Sequence, residues 1–149
     1  MDSIDRRILH LLQRDASLPI EEIGREAGLS RNACWRRIKH MEESGVIKAR
    51  VALVDPVKVG LGLLVFISVR TDRHDGEWQA QFTRSVSELP EILGVYRTAG
   101  DLDYLLQARV ADVPAYDRLY QRLISRVEIS DISASFVMEE IKETTSLFV

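Results

Sequence analysis

Cysteine is almost missing from this sequence. Cys34 stands alone, so no internal disulfide can form; this suits a reducing cytoplasm and excludes a small cross-linked scaffold. Long apolar runs are missing as well, and no stretch approaches the roughly 20 residues that cross a bilayer. The first residues, MDSIDRR, carry acids and lack the apolar core of a secretion signal. Histidine occurs only at His10, His40 and His74, in unrelated segments, which with one cysteine makes no zinc set. There is no P-loop and no GxGxxG. No nucleophile is accompanied by a base, so the expectation is a protein that is not an enzyme and holds no cofactor or metal. What is abundant is material for a packed core: 46% of the residues are hydrophobic and 29% charged, a balance that argues against disorder.

The net charge of −3 rules out a protein that is basic all over, but it hides an asymmetry. Residues 1–60 hold 11 Lys+Arg against 9 Asp+Glu, whereas residues 61–149 hold 9 against 14. Between Ser30 and Arg50 six cations (Arg31, Arg36, Arg37, Lys39, Lys48, Arg50) face two acids, Glu42 and Glu43. A local basic patch in an acidic protein suits a face for a polyanion, or simply a solvated helix surface.

Ser3 is placed to cap a first helix, in which Ile4, Ile8, Leu11 and Leu12 recur at helical spacing. Pro19 suits the first turn of a second helix with Ile20, Ile23 and Ala27 inward. Gly28-Leu29 reads as a short turn, and Ser30 as the cap of a third helix that ends at Gly45. Three short helices with a tight turn before the third describe a helix-turn-helix. On the third helix Cys34, Ile38 and Met41 share one face, and Asn32, Arg36 and Lys39 fall within about 60° of one another on the other. Those polar side chains suit a major groove, where Arg, Asn and Lys meet base edges and phosphates. Ser30, Arg31 and the free amides at the helix start suit a phosphate. Trp35 lies between the faces, its role open between packing and DNA contact. VIKARVALVDP alternates enough for a short hairpin or wing, from which Lys48 and Arg50 would reach the DNA backbone.

VDPVKVGLG, with Pro and two glycines, reads as a hinge. Beyond it, LLVFISVR is a strand and DGEWQAQFTRSVSEL an amphipathic helix with Trp78, Phe82, Val86 and Leu89 in one row. ILGVYRTA and YLLQARV are strands joined by GDLD. VPAYDRLYQRLISRV is a helix with Val113, Tyr116, Leu119, Tyr120 and Leu123 inward, and ISDISASFVMEEIK holds the last strand. The fold class is therefore α+β: a winged helix-turn-helix at 1–50, a hinge at 51–61, and a ferredoxin-like β-α-β-β-α-β domain at 62–149. One sheet face stays free of helices and is expected to pair with another subunit.

The words IDRRIL, GLS, CWRRIKHMEESGVI, ALVDP, LLVF, GDLDYLL and VMEEIK, spread in order through both halves, resemble the leucine-responsive and asparagine-responsive (Lrp/AsnC) regulators. NACWRRIKHME, KVGLGL, EWQAQF, PEILGVYRTAGDLDYL and IKETTSLFV also resemble its cysteine-detoxification branch. The resemblance implies a transcriptional regulator that binds double-stranded DNA and responds to an amino acid, cysteine or another small one. It implies a homodimer that assembles into a tetramer or octamer, cytoplasmic and nucleoid-associated. It also places Gly100, Asp101 and Asp103 in the effector site at a subunit interface, with Ser135 and Phe136 of the last strand as further members. Arg97 stands where many relatives carry an apolar side chain.

The GDLD residues fit this role chemically. An ammonium wants a carboxylate, and Gly100 lets a ligand approach the backbone, so Asp101 or Asp103 suits an amino group. The same residues also suit a polar turn. Two other function classes share these features: an effector-independent nucleoid-organising protein, and an amino-acid-sensing module without specific DNA binding.

Overall fold

Asp2, rather than Ser3, caps the first helix, α1 (Ser3–Arg14). Its carboxylate accepts from the amides of Ile4 and Asp5, while the Asp5 side chain accepts from the Asp2 amide at 2.9 Å. A carboxylate offers this reciprocal cap and also faces the positive end of the helix dipole, which the Ser3 hydroxyl cannot match. The computed structural model describes residues 1–149, and the chain divides into two units: Met1–Leu53 together with Ile141–Val149, and Val54–Glu140.

In the first unit α1 is followed by α2 (Ile20–Ala27) and α3 (Arg31–Glu43). Pro19 caps α2 without a side-chain bond, and Gly28 ends it at φ +72°, a left-handed position that favours glycine. Ile8, Leu9, Ile23, Ala27, Cys34, Ile38 and Met41 form the core. Each large aliphatic side chain in it contributes about 1.5–3 kcal/mol by leaving water. Cys34 is buried as a small core residue, and burial raises its thiol pKa, which keeps it inert. The last residues also belong here. The Gln13 amide donates to the Leu147 carbonyl at 3.2 Å and accepts from the Leu147 amide at 2.6 Å.

The expected wing is not a hairpin. Residues 48–55 hold no strand and make no backbone–backbone hydrogen bond, and Val51, Leu53 and Val54 are exposed. Alternation predicts a strand only where an edge is at hand to pair with it, and this segment meets none within the chain. A turn over Pro56–Gly60, closed by the Leu61 amide on the Pro56 carbonyl at 2.7 Å, follows it.

The second unit runs β1 (Leu63–Arg70), α4 (Gly76–Ser87), β2 (Ile92–Arg97), β3 (Tyr104–Val110), α5 (Val113–Ile124) and β4 (Asp131–Phe136). The sheet order is β2-β3-β1-β4 with every pairing antiparallel, the ferredoxin-like arrangement. Val65, Ile67 and Val69 of β1 and Leu106, Ala108 and Val110 of β3 point into one core with the helices. Trp78 and Phe82 stack at 5.0 Å, Tyr104 leans on Phe82 at 4.5 Å, and the Trp78 indole donates to the Glu128 carbonyl at 2.6 Å. The helical row on α4 is buried as the spacing predicts. On α5 only Leu119 and Leu123 are fully buried; Val113 is 54% exposed because it occupies the first turn, beyond the sheet. β4 stops at Phe136, short of the predicted segment. The opposite sheet face carries no helix, although the Arg109 side chain is buried there, paired with Glu140 at 2.8 Å.

Candidate DNA interface and ligand loop

The α3 helix turns its apolar residues to the core and a polar row outward. Ser30 caps it, its hydroxyl accepting from the Ala33 amide at 3.3 Å, and leaves the amides of Arg31 and Asn32 at the helix start. Asn32, Trp35, Arg36 and Lys39 are all exposed along one stripe of that helix. Trp35, ambiguous by helical spacing, is 47% exposed, and the Lys39 ammonium lies 5.1 Å from its ring centroid. The indole therefore belongs to the outer row rather than to the core of the unit.

The cations divide into two classes. Arg36 and Lys48 carry no ion pair. Arg31 is engaged by Glu21 at 2.7 Å, Lys39 by Glu43 at 3.7 Å, and Arg50 by Glu42 at 2.9 Å. Arg37, counted with the basic patch in the sequence, points elsewhere. It bonds Asp5 at 2.7 Å and Asp2 at 2.8 Å, tying α3 to the start of α1. Those two carboxylates, Asp5 first, raise the guanidinium pKa, and the Asp5 amide, followed by the arginine, holds Asp2 below the usual carboxylate range.

Two positioning residues escaped the sequence reading. Arg37 is one. Gly24 is the other: a Cβ there would stand 3.0 Å from the Leu29 carbonyl oxygen and 3.4 Å from the Cys34 Cβ. The missing side chain lets α2 approach the turn and α3 closely. A glycine inside a helical pattern was the available signal.

The loop between β2 and β3 is tied at several points. The Thr98 amide donates to the Asp103 carbonyl at 2.9 Å, and the Asp103 amide to the Val69 carbonyl at 3.1 Å. One Asp103 carboxylate oxygen accepts from the Thr71 amide at 2.9 Å, and Arg70 donates to the Asp101 carbonyl at 2.8 Å. Asp103 thus holds the loop, whereas the Asp101 carboxylate makes no hydrogen bond of its own. Gly100 sits at φ +123° with open space where a Cβ would be. The backbone conformation, not a close neighbour within the chain, calls for glycine here.

The six residues expected to form one effector site do not meet within one chain. Ser135 pairs with Phe66 and Phe136 with Val65, while the loop is bound at Val69 and Thr71. Three to six residues along β1 and its end separate the two groups, roughly 10–20 Å. Ser135 and Phe136 also lie on opposite faces, with Phe136 edge-on to Tyr116 at 5.2 Å. The sequence offered no register, so this separation was invisible there. Arg97, opposite Tyr104 on β2, turns to the helix side of the sheet and has no acidic partner.

Family models cover nearly the whole chain. An AsnC-type helix-turn-helix domain matches residues 1–42, and the Lrp/AsnC ligand binding domain matches residues 64–147. The chain belongs to the Lrp/AsnC family. Among its Lrp/AsnC relatives is a glutamate uptake regulatory protein of Zymomonas mobilis, 50% identical over 99% of this chain and 90% of that protein. The DNA-binding transcriptional activator DecR of Escherichia coli is 45% identical over 99% of this chain and 97% of its own length. A transcriptional regulator of Neisseria meningitidis, solved as its L-Met complex, superposes with a TM-score of 0.93 at 37% identity, covering 99% of this chain and 96% of that one. The Lrp/AsnC chain is thus a transcriptional regulator with a helix-turn-helix and a ligand-binding domain. The named relatives are regulators rather than enzymes. No helix is long and apolar enough to cross a membrane, and no group of His, Cys, Asp and Glu could hold a metal ion.

Proposed function

We propose that this regulator binds specific double-stranded DNA through α3 and adjusts that binding to an amino-acid effector, thereby controlling genes of amino-acid metabolism. The observation that carries the reading is the exposed row Asn32, Trp35, Arg36 and Lys39 beside the capped start of α3. Arg36 and Asn32 read base edges, Ser30 and Arg31 hold a phosphate at the helix start, and Lys39, Lys48 and Arg50 meet the backbone. The chain has no catalytic role and no resident cofactor in this scheme. It works as a homodimer, assembled further into a tetramer or octamer, in the cytoplasm at the nucleoid. Residues 1–50 form its DNA-binding domain, 51–61 its hinge and 62–149 its sensing segment, whose last residues, Ile141–Val149, return to the helical unit.

The effector is an amino acid, cysteine or another small one, and its ammonium pairs with the Asp101 carboxylate beside Gly100. Asp103 and Arg97 border the same loop. Ser135 and Phe136 join this site from a second copy, because their own loop lies too far along β1. Relatives named for glutamate uptake and for an L-Met complex support an amino-acid effector without fixing which one. The ligand shifts assembly or DNA affinity by its differential affinity for two states, a coupling of about 1–3 kcal/mol.

The test pairs two variants against DNA selected from a random duplex pool. Arg36→Ala should weaken the selected duplex at least tenfold in a gel shift; unchanged affinity would remove α3 from the interface. A thermal-shift screen of the twenty amino acids identifies the effector. Asp101→Asn should abolish its stabilisation while DNA binding stays intact, and an undiminished shift would reject the loop as the ammonium site. Asp101 is preferred to Asp103, whose loss would also release the Thr71 amide.

A further inference from the structure

Beside the loop but outside it, α4 and the edge strand β2 enclose a cleft of about 510 Å³. Its volume lies within the range of small-molecule sites, roughly 300–1,000 Å³. Phe82, Val86, Ile92, Val95 and Tyr104 supply apolar wall; Gln79, Thr83 and Ser87 add uncharged polar groups along α4. Arg97 is the only charged residue in the lining. It has no acid to neutralise it, and β2 at the sheet edge gives it no second neighbouring strand.

That charge pattern is one-sided. A guanidinium offers two parallel donors to a carboxylate, the pairing it makes best. Nothing in the lining is an anion, so an ammonium entering the cleft would lose water, gain no counter-charge and be repelled by Arg97. A zwitterion is therefore a poor match, whereas a carboxylic acid without an amine, attached to an apolar chain, satisfies both ends. This is the reverse of the loop, where the unengaged charge is the carboxylate of Asp101.

We infer that the cleft between α4 and β2 is a second ligand site, which takes amine-free carboxylates with a short apolar side chain, such as 2-oxo acids. The carboxylate sits on Arg97 and the side chain lies against Val86, Ile92 and Val95, while Thr83 and Gln79 are placed to hydrogen-bond a 2-oxo group. Ligand class is set by charge: removing the amine moves a molecule from the loop's chemistry to the cleft's. The site stands independently of whether the loop senses an amino acid.

The probes are a matched pair, 4-methyl-2-oxopentanoate and leucine, which differ at the carbon bearing the oxo or amino group. Titration calorimetry on the full chain should show the oxo acid binding and Arg97→Gln weakening it at least tenfold. Val95→Glu, which sets a carboxylate two residues from Arg97 on the same face, should weaken it similarly. Both positions are exposed, so folding is preserved, and circular dichroism verifies it. Asp101→Asn should leave oxo-acid affinity unchanged, which separates this site from the loop. The inference is overturned if the oxo acid fails to bind at millimolar concentration, or if Arg97→Gln binds it as tightly as the parent. It is equally overturned if leucine competes for the cleft with the same dependence on Arg97.

Discussion

Salt dependence of DNA binding reads out how many cations the protein brings to the phosphates. The logarithm of affinity falls with the logarithm of salt at about 0.9 per phosphate neutralised. Five candidate cations per chain, ten in a dimer, would give a slope of about −9, and affinity would drop about 3 × 10⁵-fold between 50 and 200 mM salt. The structure predicts far less. Arg31, Lys39 and Arg50 already face Glu21, Glu43 and Glu42, and a cation balanced by a carboxylate neutralises no phosphate on balance. Arg31, Lys39 and Arg50 can touch the backbone yet bring no net charge while their glutamates stay beside them. Arg36 in the groove and Lys48 at the backbone are the unbalanced charges, four in a dimer, for a slope of about −3.6 and a loss of about 150-fold over the same range. Replacing Glu21 and Glu42 by Gln frees Arg31 and Arg50 in each chain, which should steepen the slope to about −7 and tighten binding at low salt. Fluorescence anisotropy with a labelled random-sequence duplex measures both. A parent slope near −9, or an unchanged slope in the double variant, would refute the view that these glutamates govern the charge presented to DNA.

Other outcomes follow from the same geometry. Trp35 and Trp78 are the only tryptophans and Trp78 is 1% exposed, so acrylamide should quench one emitting class alone. DNA should protect that class, and Trp35→Phe should delete it; quenching that DNA leaves untouched would take Trp35 off the interface. Phe82→Ala removes a buried ring stacked between Trp78 and Tyr104, and should cost about 3–5 kcal/mol in urea unfolding. Asp2 is held below its ordinary pKa of 3.8 by the Asp5 amide and then by Arg37, so its stabilisation is complete above that value. It should be lost as pH falls through the lower folded pKa, and Asp2→Asn should flatten the acid limb of the thermal midpoint. Gly24→Val places two methyls against the Leu29 carbonyl and should separate α2 from α3, with an overpacking cost of about 1–3 kcal/mol visible in thermal unfolding.

The helices and their inward faces were legible because a repeat near 3.6 residues survives in any sequence whose helix packs on one side. The row Trp78, Phe82, Val86 and Leu89 and the α3 set Cys34, Ile38 and Met41 are of this kind. The segment around Val51–Val54 was misread because alternation carries half of a strand's definition; the other half is a partner edge. That Ser135 and Phe136 lie well along β1 from the loop of their own chain was hidden, because strand register is a property of pairs and one sequence shows no pairs. The ion pairs of Arg31, Arg37 and Arg50 were likewise hidden, since each joins residues from different elements or from beyond a turn. Composition counted six cations between Ser30 and Arg50, and geometry leaves two of them unengaged.

The hydrogen-bonded fit of Leu147 on Gln13 has a practical corollary. The helical unit is discontinuous in sequence, assembled from both ends of the chain with the sheet unit inserted between them. A fragment cut at the hinge would carry the three helices yet leave the Gln13 side-chain amide without its Leu147 partner. Fusions placed after Val149 would load that same edge of α1. Measurements on an excised helix-turn-helix therefore describe a unit missing its C-terminal segment, and the intact chain is the proper reference for its stability and its grip on DNA.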